Sequence, residues 1–166
     1  MIKFDKKSAL AMIFVLIGFI LILLFSEKII LIEALLFIFC FGFMLKFGSA
    51  SPLDIDPVPF SILIVLYLNS LSSAFIFMGL SAVFIDLGTG RFNHFTLVNA
   101  LAMVFSLVVF NYLLPNSMIL IFGILLFNLT RIAIALIIGL GPQTVLFSII
   151  HGIVYAVLGS VISLFI

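Results

Sequence analysis

Long apolar stretches, separated by short polar segments, follow one another along the whole chain. Residues 92–130 and 132–166 contain no Asp, Glu, Lys or Arg, and a third such stretch begins directly after Lys7. A hydrocarbon core about 30 Å thick needs roughly 20 apolar residues per helix, so each stretch holds one or two membrane spans. Polar and apolar residues do not alternate with period two, which favours helices over a barrel. The pattern predicts an all-α, polytopic transmembrane helical bundle of six to seven helices, forming one domain over 1–166.

The segment from Pro57 to Leu87 decides the number of helices. As one helix its 31 residues would measure roughly 46 Å, which is too long for one span. Asn and Ser residues from Asn69 to Ser73 offer the backbone hydrogen bonds that compete with a helix, so a break is expected there. The predicted helices are 8–25, 29–45, 58–71, 73–87, 94–114, 117–138 and 144–166, with residues 48–59 as the principal loop.

The composition makes the bilayer the expected solvent for this chain. Apolar residues make up 66% of it and charged residues 8%, and the mean hydropathy is +1.59. No water-soluble surface can be assembled from such a sequence. The net charge of +1 and the scattered basic residues argue against a nucleic-acid partner. The single cysteine, Cys40, cannot form an intrachain disulfide.

The distribution of basic residues predicts the orientation. Cytoplasmic loops collect Lys and Arg near span ends, and three Lys residues precede the first span. With the N-terminus in the cytoplasm and retained, seven spans also place Lys46, Arg91 and Arg131 on the inner side and leave Lys28 outside. The C-terminus then faces outwards. The expected location is the cell membrane, crossed several times.

Ionisable residues within apolar helices need partners or water, because each costs roughly 2.5 to 3.5 kcal/mol by insertion scales. Asp86 is followed by a Gly-containing turn and Arg91, which indicates either an interfacial ion pair or a polar element for a partner or ligand. Arg131 follows Asn128 by about one helical turn, so both are expected to face the bundle interior. An ion pair of Arg131 with Glu33 or Asp86 is the expected structural role.

The last predicted helix carries a histidine and a row of small residues. We interpret His151 as a buried, hydrogen-bonded packing residue rather than a metal ligand. Ser148, Gly152, Ala156 and Ser160 recur every fourth position, which allows another helix to approach closely. That helix belongs either to the same chain or to a partner protein.

Motifs of catalysis and cofactor binding are scarce. Asp54 and Asp56 have the spacing of an acidic metal-binding pair, but a solvated turn is the default reading of a Pro-rich loop. Metalloprotease, P-loop and nucleophile-elbow motifs are absent from the sequence. No enzyme, catalytic residue, metal or cofactor is therefore expected. An intramembrane enzyme would require at least two of four residues to converge at a cleft: Glu33, Asp86, His94 and His151.

The helix–turn–helix unit of residues 77–90 and 95–102 resembles MreD, the membrane subunit of the bacterial rod-shape machinery. Gly79, Asp86, Leu87 and Gly90 carry the resemblance. It implies a non-enzymatic scaffold of the cell-envelope and cell-shape machinery that binds membrane proteins, for example a single-pass MreC-like partner. Candidate contact residues for a partner or ligand are Asp86, Arg91, Asn128, Arg131, His151, Gly152, Ala156 and Ser160.

The same unit is also similar to the S components of energy-coupling-factor vitamin transporters. That resemblance implies a bundle enclosing a small vitamin-like solute. An interior pocket lined by polar residues would favour this alternative over the scaffold, which remains the first expectation. The residues expected around such a pocket are Asn69, Asn99, Asn111, Asn128, Arg131 and His151.

Overall fold

The computed structural model describes residues 29–47, 55–90, 92–113 and 118–164, and within them the regular structure is helical throughout. The helix Leu71–Leu80 continues directly into a π-helical segment, Ser81–Leu87. The all-α bundle predicted from the sequence is confirmed, and the predicted helix 8–25 lies outside the described residues. The α-helices are α1 (Ile29–Phe47), α2 (Val58–Leu68), α3 (Leu71–Leu80), α4 (His94–Leu113), α5 (Ile119–Ile137) and α6 (Pro142–Ile162).

Four of these helices, α1, α4, α5 and α6, are long and apolar enough to cross a membrane. They have 19 to 21 residues each, which corresponds to about 28 to 32 Å at 1.5 Å per residue. Only 28 to 44% of each apolar window is buried inside the protein. The remaining surface of these helices exposes Leu, Ile, Val and Phe, as expected for contact with lipid.

Helix α2 lies at the centre of the bundle. It has 11 residues, too few to cross a bilayer, and every residue from 59 to 66 is buried. A helix that is apolar on all faces belongs in a core. Its Leu63 packs against Gly123 of α5, where a Cβ would lie 2.9 Å from the leucine side chain. Its Phe60 packs against Tyr155 of α6, with ring centroids 5.1 Å apart.

Helix α1 packs against α2 and against α3 with the π-helical segment that continues it. Cys40 of α1 and Ser61 of α2 form a buried hydrogen bond, with 3.2 Å between Sγ and Oγ. The Phe37 ring makes edge-to-face contacts with Phe77 and Phe84, at centroid distances of 6.0 and 6.4 Å. Such aromatic pairs add to the burial energy of this interface.

The predicted break between α2 and α3 is confirmed at Asn69 and Ser70. Ser70 has an extended backbone, with φ −160° and ψ 164°, and its Oγ accepts the Ser73 N–H at 3.2 Å. Asn69 Nδ2 donates to Ser73 Oγ at 2.9 Å and to Glu33 Oε1 at 2.8 Å. The side chains of the break therefore satisfy helix-end groups and join the turn to α1.

Consecutive helices run in opposite directions, so alternate helix ends meet. Asp56, just before α2, and Asp86, at the end of the π-helical segment, line the same cavity, which requires the chain to reverse at the break. Gly90 and Gly139 have φ of 70° and 74° at the turns before α4 and α6, a conformation that favours glycine. One end of the bundle thus gathers the ends of α1, the π-helical segment and α5 with the starts of α2, α4 and α6.

Candidate functional site

A cavity of about 340 Å³ lies where these six helix ends meet. We call it the polar cavity. Five of the six elements contribute at least one residue of their own, and Asp56 lies two residues before the sixth, α2. The cavity therefore exists only in the assembled bundle. The described residues that line it are Met44, Asp56, Asp86, Asn93, Phe95, Thr96, Asn99, Arg131, Gln143, Thr144 and Phe147.

A second cavity of about 50 Å³ adjoins the first, and we call it the inner cavity. Asp56, Asp86, Thr96 and Asn99 line both cavities. The inner cavity additionally reaches Ser81 and a set of apolar side chains that includes Met78, Met103 and Phe127. The four shared residues therefore form the boundary between a larger polar space and a smaller, more apolar one.

Among the described residues, three ionisable side chains border the polar cavity: Asp56, Asp86 and Arg131. Arg131 is 6% exposed, whereas the two aspartates are half-buried. An isolated charge buried inside a helical bundle costs free energy. Placing carboxylates and a guanidinium around the same cavity lowers that cost for each group. Asp86 lies on the π-helical segment, a geometry that is frequent at functional sites of helices.

Asp56 also fixes the start of α2. Its Oδ1 accepts the Val58 N–H at 2.9 Å, which satisfies one of the free amide groups at the helix N-terminus. The carboxylate is thus held at the junction of the two cavities by its hydrogen bond to the first residue of α2.

A buried histidine, His151, contacts the backbone of Asp56 on the side away from the cavities and so supports the cavity wall that Asp56 forms. His151 Nε2 lies 2.9 Å from the Asp56 carbonyl oxygen, and its Nδ1 lies 3.1 Å from Asn128 Nδ2. The carbonyl can only accept, so Nε2 carries the proton and Nδ1 accepts from the amide. Asn128 Nδ2 also donates to the Ile124 carbonyl at 2.8 Å, which fixes the orientation of the amide. His151, on α6, is therefore hydrogen-bonded both to α5 and to the backbone of Asp56, two residues before α2.

Two buried oxygen atoms at the cavities have no hydrogen-bond partner within the described part of the chain. They are Ser81 Oγ, on a residue that is 2% exposed, and Asn99 Oδ1. Buried polar atoms are normally paired, so each such atom calls for an explanation. Both residues line the inner cavity, where a ligand or water would supply the partner.

The residues proposed from the sequence separate into four groups. Asp86 and Arg131 line the polar cavity, and Arg91 lies outside the described residues. Asn128 and His151 lie behind the cavity wall and bond to each other. The small residues of α6 continue from there along the helix.

Part of that row faces α5. Gly152 packs against Asn128, because a Cβ at Gly152 would lie 3.5 Å from the amide side chain. Ala156 is half-buried, and Ser160 is exposed with its hydroxyl bonded to the Ala156 carbonyl at 2.8 Å. The buried part of the row therefore packs within the chain.

The other polar residues named from the sequence lie elsewhere. Of the two partners expected for Arg131, Asp86 shares its cavity, whereas Glu33 bonds to Asn69 at the α2–α3 break. His94 and Asn111 are exposed at the start and near the end of α4. Among the described residues, no three His, Cys, Asp or Glu side chains lie close enough together to hold a metal ion.

Sequence reasoning missed most of the cavity lining. Asp56 was expected in a solvated turn but is half-buried at both cavities, and Thr96, Gln143 and Thr144 were not singled out. A signal was present, because all four lie at the inner-side ends of spans in the predicted topology. Polar residues gathered at one side of a bundle form a common site whenever the helix ends converge.

Comparison of the chain with protein-family models, curated proteins and solved structures gave no match.

Proposed function

We propose that this chain is a non-enzymatic membrane protein that binds a small polar solute in the polar cavity, in the manner of the S components that it resembles. The observation that carries the proposal is the cavity itself. Its volume of about 340 Å³ lies near the lower end of the roughly 300 to 1,000 Å³ typical of ligand sites. Its lining combines hydrogen-bonding and charged groups with the apolar side chains of Met44, Phe95 and Phe147.

The position of the cavity supports the proposal. Ionisable residues inside a membrane protein are by default candidates for a functional site. Helices that stop within the bundle, as α2 does, commonly mark the binding sites of membrane transporters. Asp56 at the start of α2 and Asp86 on the π-helical segment combine both features at one place.

A retention experiment tests solute binding. The full-length protein in lipid nanodiscs is incubated with a defined mixture of amines, amino acids, polyols, nucleosides and carboxylic acids, re-isolated, and its retained solutes are identified by mass spectrometry. Asn99→Phe places a ring at the cavity boundary, and Asn111→Phe on the exposed face of the same helix is the matched control. Retention by the wild type and the control, lost in Asn99→Phe, is expected.

A second variant guards against misfolding of the first. Gln143 is an exposed residue of the cavity rim, so Gln143→Phe narrows the entrance without entering the core. The proposal fails if the wild type retains no solute, or if both cavity variants retain it as the wild type does.

The location proposed is the cell membrane, with the N-terminus in the cytoplasm. This orientation places the cavity end of the bundle on the cytoplasmic side, where Lys46 lies as well. On a Cys40→Ala background, Gln143→Cys is then labelled by a membrane-impermeant maleimide only after the cells are permeabilised. Leu164→Cys, beyond the far end of α6, is labelled in intact cells. The reverse pattern would show that the cavity opens outwards.

A scaffold role in the cell envelope is the second candidate, and a groove between α1 and α3 favours it. The groove is about 400 Å³ in volume, mostly apolar, and contains Glu33 and Ser73 beside Asn69. A polar group on a lipid-facing surface favours contact with another transmembrane helix. The partner proposed is a single-pass membrane protein of the MreC type.

Photocrosslinking tests the scaffold candidate. A photoreactive residue in place of Ile76 lies in the groove, and the same residue in place of Ile153, exposed on α6, is the control. A crosslink from Ile76 to a single-pass membrane protein, absent from Ile153, supports the scaffold. A crosslink only to residues 1–28 of the same chain excludes a partner at this groove.

A further inference from the structure

We propose that the solute carries a hydroxyl group, and that this group enters the inner cavity, accepts a hydrogen bond from Ser81 Oγ and donates one to Asn99 Oδ1. The rest of the solute then occupies the polar cavity. This inference rests on the proposed solute binding and gives the chemical class of the ligand. It follows from the Ser81 hydroxyl, the Asn99 amide oxygen and the size of the cavity that both residues line.

The Ser81 hydroxyl differs from the hydroxyls of two other buried serines. Ser106 and Ser148 each donate to the carbonyl oxygen four residues earlier, at 2.9 Å. Such a bond is a common way for a serine inside a helix to satisfy its hydroxyl. Ser81 is 2% exposed, yet its Oγ makes no hydrogen bond within the described part of the chain. Within that part, its hydroxyl therefore lacks both an acceptor and a donor.

Asn99, on α4, brings a second oxygen atom to the inner cavity. Its Oδ1 is buried without a hydrogen-bond partner among the described residues, and an amide oxygen can only accept. Asp56 and Asp86 line the same cavity but already interact within the chain. The oxygen atoms of Ser81 and Asn99 are therefore the ones that call for a ligand.

The hydrogen-bonding capacity of these two atoms favours a hydroxyl group. A hydroxyl both donates and accepts, so one such group can accept from Ser81 and donate to Asn99. An ammonium group only donates, which leaves the Ser81 O–H without an acceptor. A carboxylate only accepts, which leaves Asn99 Oδ1 without a donor.

The size of the inner cavity suits the same group. A water molecule takes a share of about 30 Å³ in the liquid, so the inner cavity of about 50 Å³ has room for a hydroxyl group. The apolar side chains of Met78, Met103 and Phe127 also line it and suit contact with the carbon atom that carries the hydroxyl. A lone water molecule would satisfy the same two oxygen atoms, and binding data distinguish it from a solute hydroxyl.

Three neutral compounds that differ at one end test the inference. They are N,N-dimethyl-4-hydroxybutanamide, N,N-dimethyl-4-methoxybutanamide and N,N-dimethylbutanamide, and the hydroxyl is the only hydrogen-bond donor in the set. The methoxy compound is larger than the hydroxyl compound and the unsubstituted compound is smaller, so size alone does not produce a preference for the hydroxyl.

Binding to the full-length protein in lipid nanodiscs is measured by equilibrium dialysis, with empty nanodiscs as the blank. We expect the hydroxyl compound to bind at least about tenfold more tightly than either of the others. The reason is that an analogue without the hydroxyl leaves buried polar groups of the site unpaired.

Matched variants locate the hydroxyl. Ser81→Ala removes the serine Oγ, and Asn99→Leu removes the amide oxygen at similar size. Each is expected to lower the preference for the hydroxyl compound by at least about threefold. Ser106→Ala removes a buried hydroxyl that bonds to its own helix, and Asn111→Leu replaces an exposed amide on the same helix as Asn99. Both controls are expected to leave the preference unchanged.

The outcomes separate the inference from the proposed function. Equal binding of the three compounds, or a preference that survives Ser81→Ala or Asn99→Leu, is the behaviour of an inner cavity that holds water only. It overturns the inference and leaves solute binding standing. If none of the three compounds binds, the solutes retained from the mixture decide. Polyols or nucleosides that Ser81→Ala fails to retain support the inference, whereas any other retained set overturns it. Retention of nothing refutes the proposed function together with the inference.

Discussion

Replacing His151 by phenylalanine tests whether the cavity wall is held by the buried histidine. The substitution keeps an aromatic ring between Phe127 and Tyr155, whose centroids lie 5.9 and 4.7 Å from that of His151. It removes the hydrogen bonds to the Asp56 carbonyl at 2.9 Å and to Asn128 at 3.1 Å. Packing is therefore largely preserved. Any decrease in the free energy of unfolding then measures the contribution of the two hydrogen bonds.

The magnitude follows from the number of bonds and their burial. Hydrogen bonds between membrane helices contribute on average about 0.6 kcal/mol and at most about 1.7 kcal/mol each. A buried acceptor left without a partner costs about 1 to 3 kcal/mol. Since His151 is 1% exposed, we expect the free energy of unfolding to fall by about 1 to 3 kcal/mol.

Reversible unfolding in mixed micelles with increasing sodium dodecyl sulfate measures this change. His94→Phe, at the exposed start of α4, is the control and is expected to alter stability by less than about 0.5 kcal/mol. A cycle with Asn128→Ala isolates one of the two bonds and should give a coupling of about 0.6 to 1.7 kcal/mol. Equal stability of His151→Phe and the control, or no coupling, would refute the assignment of His151 as the residue that holds the cavity wall.

Three further predictions concern the helix ends and contacts. Gly159→Val should destabilise the protein by about 1 to 3 kcal/mol, because a Cβ there would lie 3.0 Å from the Leu120 carbonyl oxygen of α5. Gly79→Val, where a Cβ would have no described atom within 4 Å, is the control. Equal effects of the two substitutions would contradict the close α5–α6 contact. Ser70→Ala should lower the free energy of unfolding by about 1 kcal/mol through loss of the helix cap. The same substitution at the exposed Ser72 should leave it unchanged. No effect of Ser70→Ala would contradict the capping role. Gly139→Ala should lower the free energy of unfolding by about 1 to 2 kcal/mol, because its φ of 74° strains any residue with a Cβ. A stabilised variant would contradict the left-handed turn. The same unfolding assay measures all of these substitutions.

The helices were predictable because their signal is local. Apolar runs bounded by polar residues gave starts at Ile29, Val58 and His94 that coincide with those of α1, α2 and α4. The break at Asn69 was also predictable, since a single helix over 57–87 exceeds the bilayer thickness and the Asn and Ser residues there favour a cap. The π-helical segment had no signal in the pattern of apolar residues, and its physical cause is not apparent from the sequence.

The cavity was only partly predictable. Arg131 and Asn99 were expected at an interior site, and both line the polar cavity. Asn128 and His151 were expected beside them but bond to each other behind the wall. Side chains one helical turn apart share a face, yet the rotation of each helix in the bundle decides which of them reaches a common space.

The sequence alone determined that lipid surrounds this chain, where its helices lie, and that they alternate in direction. These properties follow from hydrophobicity and from backbone hydrogen bonding within each segment, and they need no contact between distant residues. Only the tertiary structure decided that Asp56, Asp86 and Arg131 line one cavity, and that buried oxygen atoms of Ser81 and Asn99 have no hydrogen-bond partner among the described residues. Those outcomes depend on how six helix ends pack together, because residues separated by up to 75 positions in the chain become neighbours through side-chain packing and not through any local pattern.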